Sequence, residues 1–378
     1  MTTTLSERAQ LAYDVIMGRP ATGIPSWLIH PMEHAHIDRL AGLPPGSYLK
    51  NPEETYLAFM KRSPICFVDQ YLALNPLSMG SRGFEGETEH GATTGAEKIL
   101  VDGMVIDSPE DVVAHMERFV FPQLAQAIAD FDEDARVAAI LAGEAEVQAK
   151  LAPEMLKTGY GFIHFPGFAY GSYGYENYFI TCVLYPEVLE KHFSLQADLF
   201  VRYNVAAARA FKEGSLPPLY RLDHDMADSR GTLVRPEWLD RYWFPHFARA
   251  LEPMLKTDVR MIWHCDGNLM AMVPRLLEVG VKGFQGFQYE DGMDYEAICR
   301  MKTKDGDDLT IIGGVSVTRA LPMGTPADVK REMRWLVEHG PQTRFFLGCS
   351  SSIAPGVPWE NMEMLVEGLE YYRTHGRG

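Results

Sequence analysis

Val259-Arg260-Met261-Ile262-Trp263-His264-Cys265-Asp266-Gly267-Asn268 begins as an apolar, β-prone run and ends in an imidazole, a thiol and a carboxylate. Leu269 to Val279 follows with helical spacing, Asn268 placed to cap it and Gly280 to end it. A buried strand that feeds a helix, with polar residues crowded at its C-terminal end, is how α/β enzymes present chemistry. Side chains alternate along a strand, so His264 and Asp266 face one way and Cys265 the other.

Working outward, the same alternation recurs towards the C-terminus. Strands are expected at Val281–Gln288, Leu309–Ser316 and Arg344–Cys349, with helices opening at Asp294, Thr325-Pro326 and Pro358-Trp359. Upstream, strands are read at Ile24–His30, Pro64–Gln70, Tyr160–Phe165 and Pro218–Asp225. Ser6 caps a first helix that serves as a preface. Helices also run from Asn51 to Arg62 and from Pro186 to Gly214, and helical segments with one short interruption run from Pro109 to about Thr158. The Gly-, Thr- and Glu-rich stretch 80–107 breaks this rhythm, and Ile99–Ile106 reads as a hairpin around Asp102-Gly103. The expectation is an α/β protein: a single (β/α)8 TIM barrel over residues 1–378, with an N-terminal helical preface and 80–107 as a β-hairpin insertion. The rival, a doubly wound open sheet, would show a Gly-rich phosphate turn after an early strand, and none is present.

Composition narrows the function. The 378 residues are 46% hydrophobic and 23% charged, as in a globular enzyme. A net charge of −16 with no basic stripe argues against nucleic acid and against anionic membrane surfaces. The N-terminal residues lack the apolar core of a signal peptide and no run reaches membrane-spanning length. Five widely spaced cysteines fit a reduced, cytoplasmic protein whose thiols are free to act as ligands.

A barrel's active site lies at the C-terminal rim of its strands. Those ends carry His30, Asp69, His164, Asp223-His224-Asp225, His264-Cys265-Asp266, Gln288, Ser316 and Cys349. His264, Asp266 and Cys349 offer nitrogen, oxygen and sulfur donors, and a catalytic zinc takes three protein ligands with one position open. The bland alternative is a hydrogen-bonded His264–Asp266 pair beside a small buried cysteine. In the Asp223–Asp225 cluster one carboxylate could orient substrate or move a proton, or the cluster could cap a loop and pair with Arg221 or Arg230. Tyr170, Tyr173 and Tyr175, with Tyr178, could wall a ligand pocket or pack loop against helix.

His264-Cys265-Asp266-Gly267-Asn268, Leu277–Val281, Gly292-Met293-Asp294, Ile312–Val315 and Pro358–Asn361, in this order, resemble the C-terminal half of the uroporphyrinogen decarboxylase-like superfamily, over roughly residues 215 to 372. That superfamily implies a (β/α)8 barrel that is either a porphyrinogen decarboxylase or a corrinoid-linked methyltransferase. The Arg-Gln-Ala-Gly-Arg run with which the decarboxylases grip carboxylates has no match here. The methyltransferase branch has a zinc site written His-x-Cys with a distant cysteine; His264 and Cys349 match its first and last ligands, and Asp266 stands in the middle place, with Cys265 one position earlier. The resemblance thus implies a zinc-dependent methyltransferase that moves a methyl group between a corrinoid on a partner protein and a small thiol or methylated molecule. Metal ligands would be His264, Asp266 and Cys349, with Asp225 and Gln288 orienting the reactants and Tyr170, Tyr173 and Tyr175 lining the cofactor pocket. Two other readings remain: a decarboxylase or lyase acting on a small carboxylate, and a non-catalytic tetrapyrrole- or corrinoid-binding protein. A twist at Gly267 would bring Cys265 in as ligand in place of Asp266.

Overall fold

The computed structural model describes residues 5–27, 30–74 and 99–378. Its strands are β1 (Phe67–Val68), β2 (Leu100–Val101), β3 (Met104–Val105), β4 (Leu156–Lys157), β5 (Leu219–Asp223), β6 (Ala227–Asp228), β7 (Gly231–Thr232), β8 (Arg260–His264), β9 (Gly283–Gln285), β10 (Thr310–Val315) and β11 (Phe345–Cys349). Five of them form one parallel sheet in the order β11-β10-β9-β8-β5. Parallel neighbours need a crossover, and helices such as Pro186–Glu213, Phe244–Leu255 and Pro326–His339 supply it.

Short contacts close this sheet into a ring. Gly159 bridges Tyr220 of β5, and β4 pairs in parallel with β1. The Cys66 amide, just before β1, donates to Ser26 O at 3.0 Å. Ser26 in turn bridges Leu347 of β11, where Trp27 N donates to Leu347 O at 2.9 Å and Leu347 N to Pro25 O at 3.1 Å. The staves are the 25–27 segment, β1, β4, β5, β8, β9, β10 and β11, which makes a (β/α)8 barrel.

The strand residues of β8, β10 and β11 are all buried, as near-continuous apolar runs in a two-sided parallel sheet must be. Trp263 points to the helix layer, with its ring 5.5 Å from that of Phe247 and 6.2 Å from that of Trp243. His264, one position on, faces the opposite way.

The preface is present: Ser6 accepts from Ala9 N and caps the helix Glu7–Ile16. Asp102 and Gly103 take φ of 49° and 77°, and β2 and β3 pair antiparallel about them as the Asp-Gly turn dictates. Of the expected 80–107 insertion, residues 80–98 lie outside the described residues, as do Leu28 and Ile29 of the expected first strand.

Two expectations shift. The third stave runs at 156–159 rather than 160–165. Gly161 at φ +77° turns the chain, and the amides of Phe162 and Ile163 both donate to the Tyr220 hydroxyl instead of to a strand. The helix after β8 is Val273–Val279, shorter than expected, because Asn268 Oδ1 holds the Met270 amide in a turn and Pro274 sits where a helix begins. Gly280 ends it at φ +119°.

Closure depends on close approach at Gly348, where an added Cβ would lie 2.1 Å from the Trp27 carbonyl oxygen. Backbone there cannot move without opening the 25–27 seam. Gly348→Ala is therefore expected to cost about 3 kcal/mol, the upper end for overpacking, measured as a fall in thermal or urea midpoint.

Candidate metal centre

β5 and β8 run side by side in register, with Asp223 opposite His264. Side chains at paired positions of parallel strands share a face, so both enter the mouth of the barrel. Beyond β8 the chain turns at Gly267, φ +84°, where a Cβ would meet the Asp228 carbonyl oxygen at 2.6 Å. That turn brings Asp266 back beside Asp225, whose Oδ1 accepts from the Asp266 amide at 2.9 Å.

Asp225, His264 and Asp266 thereby form a group in which one donor atom from each lies within 4.8 Å of the others. His264 is 5% exposed and its Nδ1 sits 3.2 Å from the Gln285 carbonyl oxygen. A carbonyl can only accept, so Nδ1 donates to it and Nε2 is the nitrogen left facing the mouth. Nε2 lies 3.9 Å from Asp266 Oδ1, too far for a hydrogen bond. Asp266 Oδ2 accepts from Ser351 Oγ at 3.1 Å, and Oδ1 from Gln288 Nε2 at 3.5 Å. Gln288 is itself fixed by the Gly267 amide, 2.6 Å from its Oε1. Burial lifts the Asp266 carboxyl above the ordinary range; His264 opposes this and the neighbouring Asp225 adds to it. A nitrogen and two oxygens, with the histidine oriented by a backbone carbonyl, is a donor set that fits a divalent cation such as zinc.

Beside this group lies a buried ion-pair network. Arg221 donates through Nε to Asp69 Oδ2 at 2.5 Å and through Nη1 to Asp223 Oδ2 at 2.6 Å. Tyr160 donates to Asp223 Oδ2 at 3.0 Å, and Trp27 Nε1 to Asp69 Oδ1 at 3.1 Å. Burial raises the Asp223 carboxyl, but His264, Arg221 and the Tyr160 hydroxyl outweigh it and hold it below the usual range.

The sequence also placed Cys349 among the ligands, and the structure does not bring it into this group. The group comprises two carboxylates and an imidazole without a thiol. Cys349 is fully buried, its thiol pushed up by desolvation and by Glu332, a residue of the outer helix Pro326–His339. Cys265 also turns away: its Sγ accepts from the Met226 amide at 3.2 Å, and burial holds it protonated. Asp225 stands in the donor group and Gln288 supports it. Among the tyrosines, Tyr170 donates to Asp225 O at 3.0 Å and stacks on the half-exposed Tyr175, ring centroids 4.6 Å apart. Tyr173 is not on the mouth. It is 2% exposed and its hydroxyl meets His115 Nδ1 at 2.9 Å, so it packs the loop against a helix. His224 accepts from the Phe168 amide at 2.8 Å and braces the same loop. Sequence reasoning missed Ser351 and the central place of Arg221. Ser351 follows the last strand by two residues, the same offset that Asp266 has from His264.

A model of the uroporphyrinogen decarboxylase (URO-D) family matches residues 168–372, more than half of the chain and all of the group above. The chain belongs to that family. Two methylcobamide:CoM methyltransferases named MtbA are similar over 176 residues. The one from Methanosarcina mazei is 22% identical and the one from Methanosarcina acetivorans 23%. Each match covers 47% of this chain and 48% of the relative, so the chain spans about half the length of these relatives. A solved methyltransferase from Methanosarcina mazei superposes with a TM-score of 0.55 at 16% identity, over 98% of this chain and 99% of that one, and so shares the fold.

Metal titration checks the donor set. Asp225→Ala and Asp266→Ala are expected to lose most bound zinc, while Cys265→Ser and Cys349→Ser keep it at matched circular dichroism. Gln288→Ala and Ser351→Ala, which only orient Asp266, should weaken zinc by about tenfold.

Proposed function

We propose that the chain is a metal-dependent methyltransferase of the corrinoid-linked type. It moves a methyl group between a corrinoid held by a partner protein and a small thiol or methylated small molecule. The observation that carries this reading is His264: its proton is tied to Gln285 O, and its free Nε2 faces the carboxylates of Asp225 and Asp266. Zinc held by these three residues would supply Lewis acidity, lowering the pKa of a thiol or polarising the heteroatom that carries the methyl group.

The chain's own groups do the rest. Gln288 and Ser351 fix the Asp266 carboxylate, and Asp225 is set by the Asp266 amide. Tyr170 and Tyr175 form a flat apolar wall next to Asp225, suited to the face of a large planar group and to keeping water out. The five cysteines are all free, in keeping with a reduced cytoplasmic setting, and no helix among the described residues is long and apolar enough to cross a membrane.

A lyase on the same barrel is the second reading, favoured by one observation: Cys349 lies outside the donor group. Chelation separates the two. With methylcobalamin as methyl donor and a small thiol as acceptor, the zinc-loaded protein should demethylate the corrinoid. The reaction should fall by roughly a hundredfold or more on chelation or in Asp266→Ala, and return with zinc. Full activity after chelation would remove the metal from the mechanism and leave the lyase.

A further inference from the structure

Two buried polar atoms on the inner face of the barrel have no hydrogen-bond partner among the described residues. One is Arg221 Nη2, on a residue 3% exposed whose Nε and Nη1 are already committed to Asp69 and Asp223. The other is Gln285 Oε1, on a residue 1% exposed. The Gln285 amide is oriented unambiguously: its nitrogen donates to the carbonyl oxygens of Cys349 and Ser350, both at 3.2 Å, which leaves the oxygen unpaired. Gln285 pairs in register with His264, and Asp223 with His264, while Arg221 precedes Asp223 by two residues. All four side chains therefore share the inner face of the barrel, with Arg221 one layer deeper.

Buried groups of this kind are nearly always satisfied, so a donor and an acceptor left open beside one site call for a ligand that offers both. The surrounding charge decides which kind. Asp69 and Asp223 already outnumber the single positive charge of Arg221, and Asp225 and Asp266 stand above them. Among the described residues no second guanidinium or ammonium enters this network. A carboxylate, sulfonate or phosphate brought to Arg221 Nη2 would meet two carboxylates there.

We infer that Arg221 and Gln285 are specificity-determining residues that select a substrate with an uncharged polar end, a hydroxyl or primary amide, and that the acids around Arg221 exclude anionic ones. This rests on the methyltransferase reading for the reacting end of the substrate and adds what its far end must be. The rings of Tyr160 and Trp27, 5.0 and 5.5 Å from the guanidinium carbon, hold Arg221 in place for that contact.

The test is calorimetric titration of the zinc-loaded protein with three two-carbon thiols: 2-mercaptoethanol, ethanethiol and 2-mercaptoethanesulfonate. The hydroxyl thiol should bind about tenfold tighter than ethanethiol, as one buried hydrogen-bonding contact gives, and tighter still than the sulfonate. Arg221→Lys, which keeps the charge but not the fork, should bring 2-mercaptoethanol down to the level of ethanethiol. Asp223→Asn should narrow the gap to the sulfonate. Circular dichroism and zinc content confirm that each variant is folded and loaded. Equal binding of all three thiols, or tighter binding of the sulfonate, overturns the inference while leaving the methyltransferase reading intact. An unchanged preference in Arg221→Lys does the same. Binding of none of them to the zinc-loaded protein overturns both this inference and the thiol as acceptor.

Discussion

The guanidinium of Arg221 ties four staves of the barrel together. It reaches Asp69 at the end of β1 and Asp223 at the end of its own strand, and lies against Trp27 of the first stave and Tyr160 just past the third. A charge buried this deeply is tolerated only because its partners are held at hydrogen-bond distance; removing one would leave the others unpaired at a cost of about 3 to 5 kcal/mol. The network also fixes the placement of Asp223 opposite His264, and so the platform on which the donor group stands.

From that platform the local backbone does the remaining work. A regular strand ends at His264, and the turn at Gly267 carries Asp266 round to Asp225. The β6–β7 hairpin stands over the turn, its Asp228 carbonyl accepting from Asn268 N at 2.8 Å. His264, Asp266 and Asp225 belong to two adjacent staves, so the group depends on one strand pair and one hairpin rather than on convergence across the mouth.

Much of this was legible in the sequence, for identifiable reasons. The C-terminal alternation of apolar runs and capped helices marks β8 to β11, because fully buried parallel strands leave no ambiguity about what is inside. The Asp102-Gly103 turn and the helix start at Thr325-Pro326 follow from local chemistry alone. Strand alternation put Asp266 rather than Cys265 on the side of His264, and although the strand ends at His264, the turn beyond it leaves Asp266 on that side. What failed was non-local. The sequence does not say that Gly161 ends the third stave early, because a tyrosine hydroxyl from β5 replaces the missing strand partner. Nor does it say which face of β11 Cys349 occupies. That is set by the register of β11 on β10, where Val315 stands opposite Cys349 and the helix carrying Glu332 packs outside.

The burial of Cys265 and Cys349 has a consequence for the chemical durability of the mouth. Burial favours the protonated form of both thiols, and the donor group consists of imidazole and carboxylates alone. Oxidants attack thiolates first, running from sulfenic acid to disulfide or beyond, and neither imidazole nor carboxylate enters that sequence. Cys265 and Cys349 are thus shielded from oxidants by burial, and the group of Asp225, His264 and Asp266 holds no thiol for them to attack.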